Sequence, residues 1–265
     1  CIKDSGNTAK KSYDRHIEAV QQAEDYIASY GKKKLSPINA KITSDAGEML
    51  SSIGPCLRGL FSEETGQNWL IHYREDSAAC AFASSLECKD WSQIGTATPD
   101  HVIRVKPFPL IITPKKNSSI DKFQVTAKKA FENYRKKYIN YFNANKNKVK
   151  GQKVMLDTSP RVVLVQNVGM FSVGKDLNSA RIAGDLTETN AKVIASVEET
   201  STYKFIPEKD LFDVEYWSLE QAKIKKQKKL LEGNVVVITG STGTIGFETY
   251  KMFKSYGAEV VLLDY

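Results

Sequence analysis

The stretch Gly233-Asn-Val-Val-Val-Ile-Thr-Gly-Ser-Thr-Gly-Thr-Ile-Gly-Phe247, continued by Ala258-Glu-Val-Val-Leu-Leu-Asp-Tyr265, decides the fold. Val235 to Ile238 is a β-branched run without a polar break, the pattern of a strand buried on both faces of a parallel sheet. Thr239-Gly240 opens a turn in which Gly240, Gly243 and Gly246 recur every third residue. An amphipathic segment and a second apolar run follow, and the run closes on Asp264. Strand, glycine turn, helix, strand and terminal acid is the order of a dinucleotide-binding βαβ unit.

Each part of the turn has a chemical task. Gly240 supplies backbone angles that a Cβ opposes. Gly243 leaves room for a pyrophosphate, and Gly246 lets the helix pack close to the strand. A helix starting near Ile245 aims its unpaired N–H groups and positive dipole end at the phosphates. Ser241, Thr242 and Thr244 add hydroxyl donors. The acid at Asp264 is spaced to bond the adenosine ribose hydroxyls and to repel a 2′-phosphate, which favours NAD over NADP. The candidate cofactor-binding set is therefore Gly240, Ser241, Thr242, Gly243, Thr244, Ile245, Gly246, Asp264 and Tyr265.

Thr239-Gly240 with Ile245-Gly246 resembles the short-chain dehydrogenase/reductase family. That family shows T-G-x-x-x-G-x-G, whereas here Thr244 takes the sixth place and glycine comes one residue earlier, at Gly243. The departure is closer to the extended or atypical branches. The family's catalytic Tyr-x-x-x-Lys spacing occurs at Tyr250/Lys254 and at Tyr30/Lys34. The first pair lies on the helix that holds phosphates rather than nicotinamide, and the second straddles a helix end. Neither is assigned a catalytic role, and the dehydrogenase chemistry is expected beyond residue 265.

Upstream, Thr8 to Tyr30 reads as a helix with a stripe of Tyr13, Ile17, Val20 and Ile27, stopped by Gly31 and three lysines. Ile38 to Phe61 is largely helical, with Gly54-Pro55 as an interruption. Trp69 to Tyr73 alternates as a strand, and Ala78 to Leu86 is a strand or short helix. Ile94 to Ile112 is loop and then extended chain because of its prolines. Ser119 to Asn143 is an amphipathic helix, Pro160 to Gln166 a buried strand and Val168 to Gly174 a turn. Leu177 to Val197 and Leu211 to Lys229 are helices. Gly6 with its helix faintly echoes Gly174 with its helix, as a worn duplication or as chance.

The net charge is +7 over 265 residues, and lysine dominates it. Phe131, Tyr134, Tyr138 and Phe142 lie among these bases at helical spacing, so they read as a buried face with solvated lysines rather than a nucleic-acid surface. No apolar run has the length of a membrane span, and the first residues are not a signal peptide. Cys1, Cys56, Cys80 and Cys88 have no Cys-x-x-Cys spacing, which suits reduced thiols in the cytoplasm.

Several further segments together resemble the bifunctional sugar-phosphate aldolase/short-chain dehydrogenases of the rhamnulose-phosphate aldolase/lactaldehyde dehydrogenase type. They include Gly6-Asn-Thr-Ala-Lys-Lys-Ser-Tyr-Asp-Arg-His-Ile-Glu18, Gly95-Thr-Ala-Thr-Pro-Asp-His-Val-Ile-Arg104, Gly169-Met-Phe-Ser-Val-Gly-Lys175 and Asp210-Leu-Phe-Asp-Val-Glu-Tyr-Trp217. Pro160 to Val165 and Ala180 to Leu186 belong to the same set. The resemblance implies an α/β chain in three parts: residues 1–34 as the tail of a class II aldolase domain, 35–232 as a mixed α/β middle region, and 233–265 as the start of a Rossmann domain.

It further implies a parent enzyme of deoxysugar catabolism that cleaves rhamnulose 1-phosphate and oxidises lactaldehyde. The cofactors would be NAD and an aldolase zinc whose ligands lie outside this chain. Sugar phosphate and aldehyde are then the partners, with no nucleic acid or membrane, and a homo-oligomer is the remaining partner expectation. No catalytic residue and no metal ligand is assigned within the chain, which is expected to be an internal fragment, inactive alone. His16 and His72 read as structural. His101 is placed in a loop, open to a phosphate or a partner domain, or else held in a hydrogen-bonded turn. The alternatives are an extended short-chain dehydrogenase or epimerase and a non-catalytic nucleotide-sensing module, which a downstream Tyr-x-x-x-Lys separates.

Overall fold

In a computed structural model the described residues are 5–29, 46–74, 77–115, 118–224 and 227–265. Helix α1 (Ala9–Ala28) starts where Thr8, in extended conformation, accepts a hydrogen bond from the Lys11 N–H. The Gly31 stop lies outside the described residues.

Helix α2 (Ala46–Thr65) runs through Gly54-Pro55 without a break. Ile53, Leu57, Leu60 and Phe61 are buried on one side of it, whereas Pro55 faces solvent. Burial of that stripe offsets the backbone bond that proline forgoes. Strand β1 (Leu70–Arg74) follows, then two helices, α3 (Ser77–Ser84) and α4 (Cys88–Trp91).

The Ile94–Ile112 stretch is less extended than its prolines suggest. Pro99–His101 is a 3-10 turn that continues into α5 (Val102–Val105), and only then comes β2 (Leu110–Ile112). Pro99 occupies the first turn, where a missing N–H leaves no hydrogen bond unmade. Helix α6 (Ile120–Asn145) buries Phe131, Tyr134, Tyr138 and Phe142, so its interleaved aromatics are core.

Strands β3 (Val162–Val165) and β4 (Gly169–Gly174) are buried at every residue. The sequence reading made 168–174 a turn. The turn itself is earlier, at Asn167, whose φ is +64°. The two glycines bound a strand, and a Cβ on Gly169 would come within 2.9 Å of the Tyr73 ring. Helix α7 (Leu177–Thr200) follows, capped by Asp176. The helix predicted over Leu211–Lys229 is two helices, α8 (Glu208–Glu215) and α9 (Ser218–Ile224), divided at Tyr216-Trp217.

These elements form one four-stranded sheet in the order β1-β4-β3-β2, antiparallel except for the β2–β3 pair. Side chains alternate across it. Val163, Val165, Phe171 and Val173 join the aromatic core with α2 and α6. Val162, Leu164 and Met170 face Phe82, Ala83 and Ala183 from α3 and α7. The body is therefore three layers, helix–sheet–helix. No helix among the described residues is long and apolar enough to cross a membrane.

A second, two-stranded sheet completes the chain: β5 (Val235–Thr239), α10 (Thr244–Ser255) and β6 (Glu259–Leu263), with β5 and β6 parallel. Only Ile238 of β5 is buried. The run reads as a strand covered on both faces, but two strands and one helix leave one face open. The amino end of β5 is tied to the body. Arg58 donates to the carbonyl oxygens of Trp69 (2.9 Å) and Gly233 (3.2 Å), and Asn68 Nδ2 donates to Asn234 Oδ1 at 3.0 Å. Gly233 has φ +79°, and a Cβ there would lie 2.6 Å from the Asn68 carbonyl oxygen.

Candidate functional site

The glycine turn sits at the carboxyl end of β5, opposite the body. Gly240 has φ +64° with open space around the position of a Cβ, so its need for glycine is conformational. Gly246 is the reverse case. A Cβ there would lie 2.2 Å from the Gly240 carbonyl oxygen and 2.8 Å from Ser241 Cα. The close approach is to the turn itself, where the sequence reading placed it against the strand. At Gly243 a Cβ would meet only the Gly240 oxygen, at 3.4 Å.

Gly243 is the N-cap of α10, and no side chain caps the helix. Its first N–H groups therefore lie at the positive end of the helix without a side-chain acceptor, beside Thr244, Ile245 and Gly246. The hydroxyls are placed differently from expectation. Ser241 is buried and donates to the Leu263 carbonyl oxygen at 3.2 Å, as does its own N–H at 3.3 Å. Thr242 donates from its N–H and its hydroxyl to Asp264 Oδ2, both at 2.5 Å. Tyr265 is fully exposed, and its N–H donates to Asp264 Oδ1 at 3.0 Å. The Thr242 hydroxyl and N–H hold the Asp264 carboxyl below its ordinary pKa, so it stays ionised at neutral pH. A carboxylate so placed retains acceptor capacity for a diol.

Tyr250 and Lys254 lie along α10, away from the turn. Tyr250 packs on Phe247, and Lys254 pairs with Glu259.

The body holds a second polar cluster that sequence reasoning missed. Lys106, Tyr138, Glu215 and Tyr216 are all buried. Lys106 Nζ donates to the Tyr138 hydroxyl at 2.8 Å and lies 3.6 Å from Glu215 Oε1. Tyr138 donates to Glu215 at 2.8 Å and shares a 2.8 Å hydrogen bond with Tyr216. Burial pulls the Lys106 ammonium down to about 8 against the opposing pull of Glu215, and burial raises Glu215. Lys106 also has φ +68° and ψ 169°, the extended ψ that Pro107 imposes. Beside it is a cavity of about 20 Å³, room for roughly one water. The signals were a lysine between Val105 and Pro107 and an acid inside Asp-Val-Glu-Tyr-Trp. Neither has a spacing that marks a buried pair.

The histidines are scattered. His16 is on the exposed α1, and its ring approaches the Ser12 carbonyl oxygen at 3.3 Å. His72 is in β1, its pKa lowered by burial and by Arg74. His101 ends the 3-10 turn rather than lying in a loop, and its Nδ1 is buried without a partner. Among the described residues no three of His, Cys, Asp and Glu come together as a metal site. Cys56, Cys80 and Cys88 are free thiols.

Residues 48–224 match the family model described as the second domain of class II aldolases. The chain belongs to that family. The class II aldolase second domain is thus the three-layer body, and the βαβ unit follows it. Over 269 aligned positions the chain is 28% identical to a protein of Bacillus subtilis (strain 168) named as an uncharacterized oxidoreductase, YuxG. The match covers 98% of this chain and 38% of that relative, so the chain spans well under half of its length.

Proposed function

We propose that this chain is the central part of a bifunctional enzyme, a class II sugar-phosphate aldolase joined to an NAD-dependent short-chain dehydrogenase. One observation carries the reading: a class II aldolase second domain holds, by the foot of β5, a βαβ unit whose turn needs Gly240 for its φ and Gly246 for its closeness. The oxidoreductase name of the relative supports the second half.

Bound NAD supplies a hydride acceptor. In this reading the backbone of residues 240–246 and the start of α10 take its pyrophosphate. Gly243 leaves the approach open, and Asp264 accepts the adenosine ribose hydroxyls. Zinc is a different matter. Among the described residues no three ligands come together, and the aldolase zinc is proposed to be held by histidines of the parent protein outside this chain. The substrates proposed are rhamnulose 1-phosphate, cleaved to dihydroxyacetone phosphate and lactaldehyde, and the aldehyde, then oxidised. The chain alone is proposed to turn over neither.

The test is the full-length polypeptide that contains this chain. Its gene should encode a His-Gly pair and a His-x-His upstream and a Tyr-x-x-x-Lys downstream. The purified protein should cleave rhamnulose 1-phosphate and reduce NAD with lactaldehyde. Lactaldehyde oxidation without cleavage leaves a dehydrogenase only. No NAD reduction together with no downstream tyrosine pair reduces the unit to a nucleotide-sensing module and overturns the enzyme reading.

A further inference from the structure

Helix α1 is a 20-residue helix with no buried residue. Tyr13, Ile17, Val20 and Ile27 are between 46% and 66% exposed. An isolated helix of this length is marginal in water, and its stability ordinarily comes from packing an amphipathic face. The identity of the missing cover follows from the corner at which the helix begins.

That corner occurs twice in the chain. Gly6 stands two residues before the N-cap of α1, and Gly174 stands two before the N-cap of α7. The caps have nearly the same backbone, φ −139° and ψ 155° at Thr8, φ −132° and ψ 160° at Asp176. Each cap side chain accepts from the N–H three residues on, Lys11 at 3.2 Å and Ser179 at 2.7 Å. Each cap carbonyl accepts from the residue after that, Ser12 at 3.0 Å and Ala180 at 3.1 Å. A Cβ on Gly6 would lie 2.5 Å from Ser12 N, and one on Gly174 would lie 2.5 Å from Ala180 N. The chain folds back onto its own first helical turn in the same way at both places, at a distance only glycine permits.

At the second corner the packing is visible. Gly174 ends β4, and α7 returns across β4 and β1 on a face of small residues, Ala180, Gly184, Thr187 and Ala191. The equivalent positions of α1, at the same distances from its glycine, are Ser12, His16, Ala19 and Ala23. Three of these four are also small. They adjoin the apolar stripe on the helical wheel, whose Tyr13, Ile17 and Val20 fall at the positions of Arg181, Asp185 and Glu188 on the outer side of α7, and Lys10, Asp14, Glu18 and Asp25 lie beyond it.

We infer that α1 is the last helix of a second domain built like the body, and that its small-residue face packs on that domain's β-sheet as α7 packs on β4 and β1. The occupant is a preceding part of the same polypeptide, whose final strand would run into Gly6 as β4 runs into Gly174. The Bacillus relative has the length for it, since this chain covers 38% of it. The body and the preceding domain are then a duplication. The inference rests on the two corners and on no part of the cofactor or substrate reading.

Hydrogen exchange of the 265-residue chain and of the full-length polypeptide tests it. Amides 9–28 are expected to exchange at least about tenfold more slowly in the full-length protein, while those of β3 and β4 are protected in both. Ala19→Glu or Ala23→Glu should abolish the α1 protection in the full-length protein, and Asp14→Lys on the opposite side should not. Should both glutamates prevent folding, Gly6→Ala serves instead. It should loosen α1 in the full-length protein and leave the melting temperature of the 265-residue chain unchanged, whereas Gly174→Ala lowers that temperature. Protection of α1 already present in the 265-residue chain overturns the inference, whether it fades on dilution, as cover by a second copy would, or persists. So does rapid exchange in the full-length protein. These outcomes are read without any activity assay, so they stand apart from failure of the proposed enzyme function.

Discussion

Thr242 and Asp264 are joined twice, the N–H and the hydroxyl of the threonine both donating to one carboxylate oxygen at 2.5 Å. The tip of the glycine turn is thereby fastened to the end of β6. A hydrogen bond to a charged group contributes about 1.5–3 kcal/mol. Asp264→Asn in the full-length protein is therefore expected to weaken NADH binding about tenfold and to narrow its preference over NADPH. Fluorescence titration with both reduced cofactors checks this. Unchanged affinity for each would remove Asp264 from the ribose site.

Gly246 and Gly243 should respond unequally to the same added methyl. Gly246→Ala drives a Cβ into the Gly240 carbonyl, and the turn must open. NADH affinity is expected to fall by at least about tenfold, more than 1.4 kcal/mol. Gly243→Ala meets only a 3.4 Å contact, so the fold of the unit should survive it, with a smaller loss confined to cofactor approach. Equal losses would mean that the closeness of Gly246 to Gly240 is irrelevant.

Lys106 and Glu215 are a buried pair, and removing one member strands the other. Lys106→Met is expected to destabilise the body by about 3–5 kcal/mol, read from the midpoint of urea unfolding. Adding Glu215→Gln, which keeps an acceptor for the Tyr138 hydroxyl, should recover most of the loss. A single variant as stable as the parent would show that the pair contributes nothing.

Asp157 makes two hydrogen bonds to Arg161, at 3.0 and 2.5 Å. Partial desolvation of this half-exposed carboxyl would raise its pKa, but the guanidinium charge and these bonds outweigh it and hold it well below the carboxylate range. A folded-state pKa below the unfolded value of about 3.9 adds stability that is complete above that value. The contribution is lost as pH falls from about 5 toward the folded value. Asp157→Asn should therefore lower the melting temperature at pH 7 and flatten its decline between about pH 5 and 3. A parallel decline in both proteins would refute this.

The elements easiest to read were those whose period or chemistry is local. The aromatic stripe of α6 is buried as its spacing indicates, and β3 is buried at all four residues. Gly240 declares itself because only glycine takes its φ without cost. What the chain hides is set by distant neighbours. Strand β4 begins and ends with glycine and reads as a turn, yet β1 and β3 pair with it on either side. Pro55 looks like a break until Ile53, Leu57 and Phe61 are seen buried along one face. Ser241 looks like a phosphate donor, but Leu263 takes its hydroxyl. Lys106 and Glu215 are more than a hundred residues apart, and no motif joins them.

The Arg58 fork and Gly233 hold β5 at its foot, and the glycine turn rides at its tip. Five residues of strand place the two roughly 16 Å apart. The aldolase-type body thus acts on the glycine turn as a mount acts on a pointer. A tilt of about ten degrees at the start of β5 would sweep the turn by roughly 3 Å, several times the positioning tolerance of the dinucleotide chemistry proposed for this protein. Substitutions at Asn68 or Arg58 would be felt as misaimed chemistry at the far end of a strand whose every residue is unchanged.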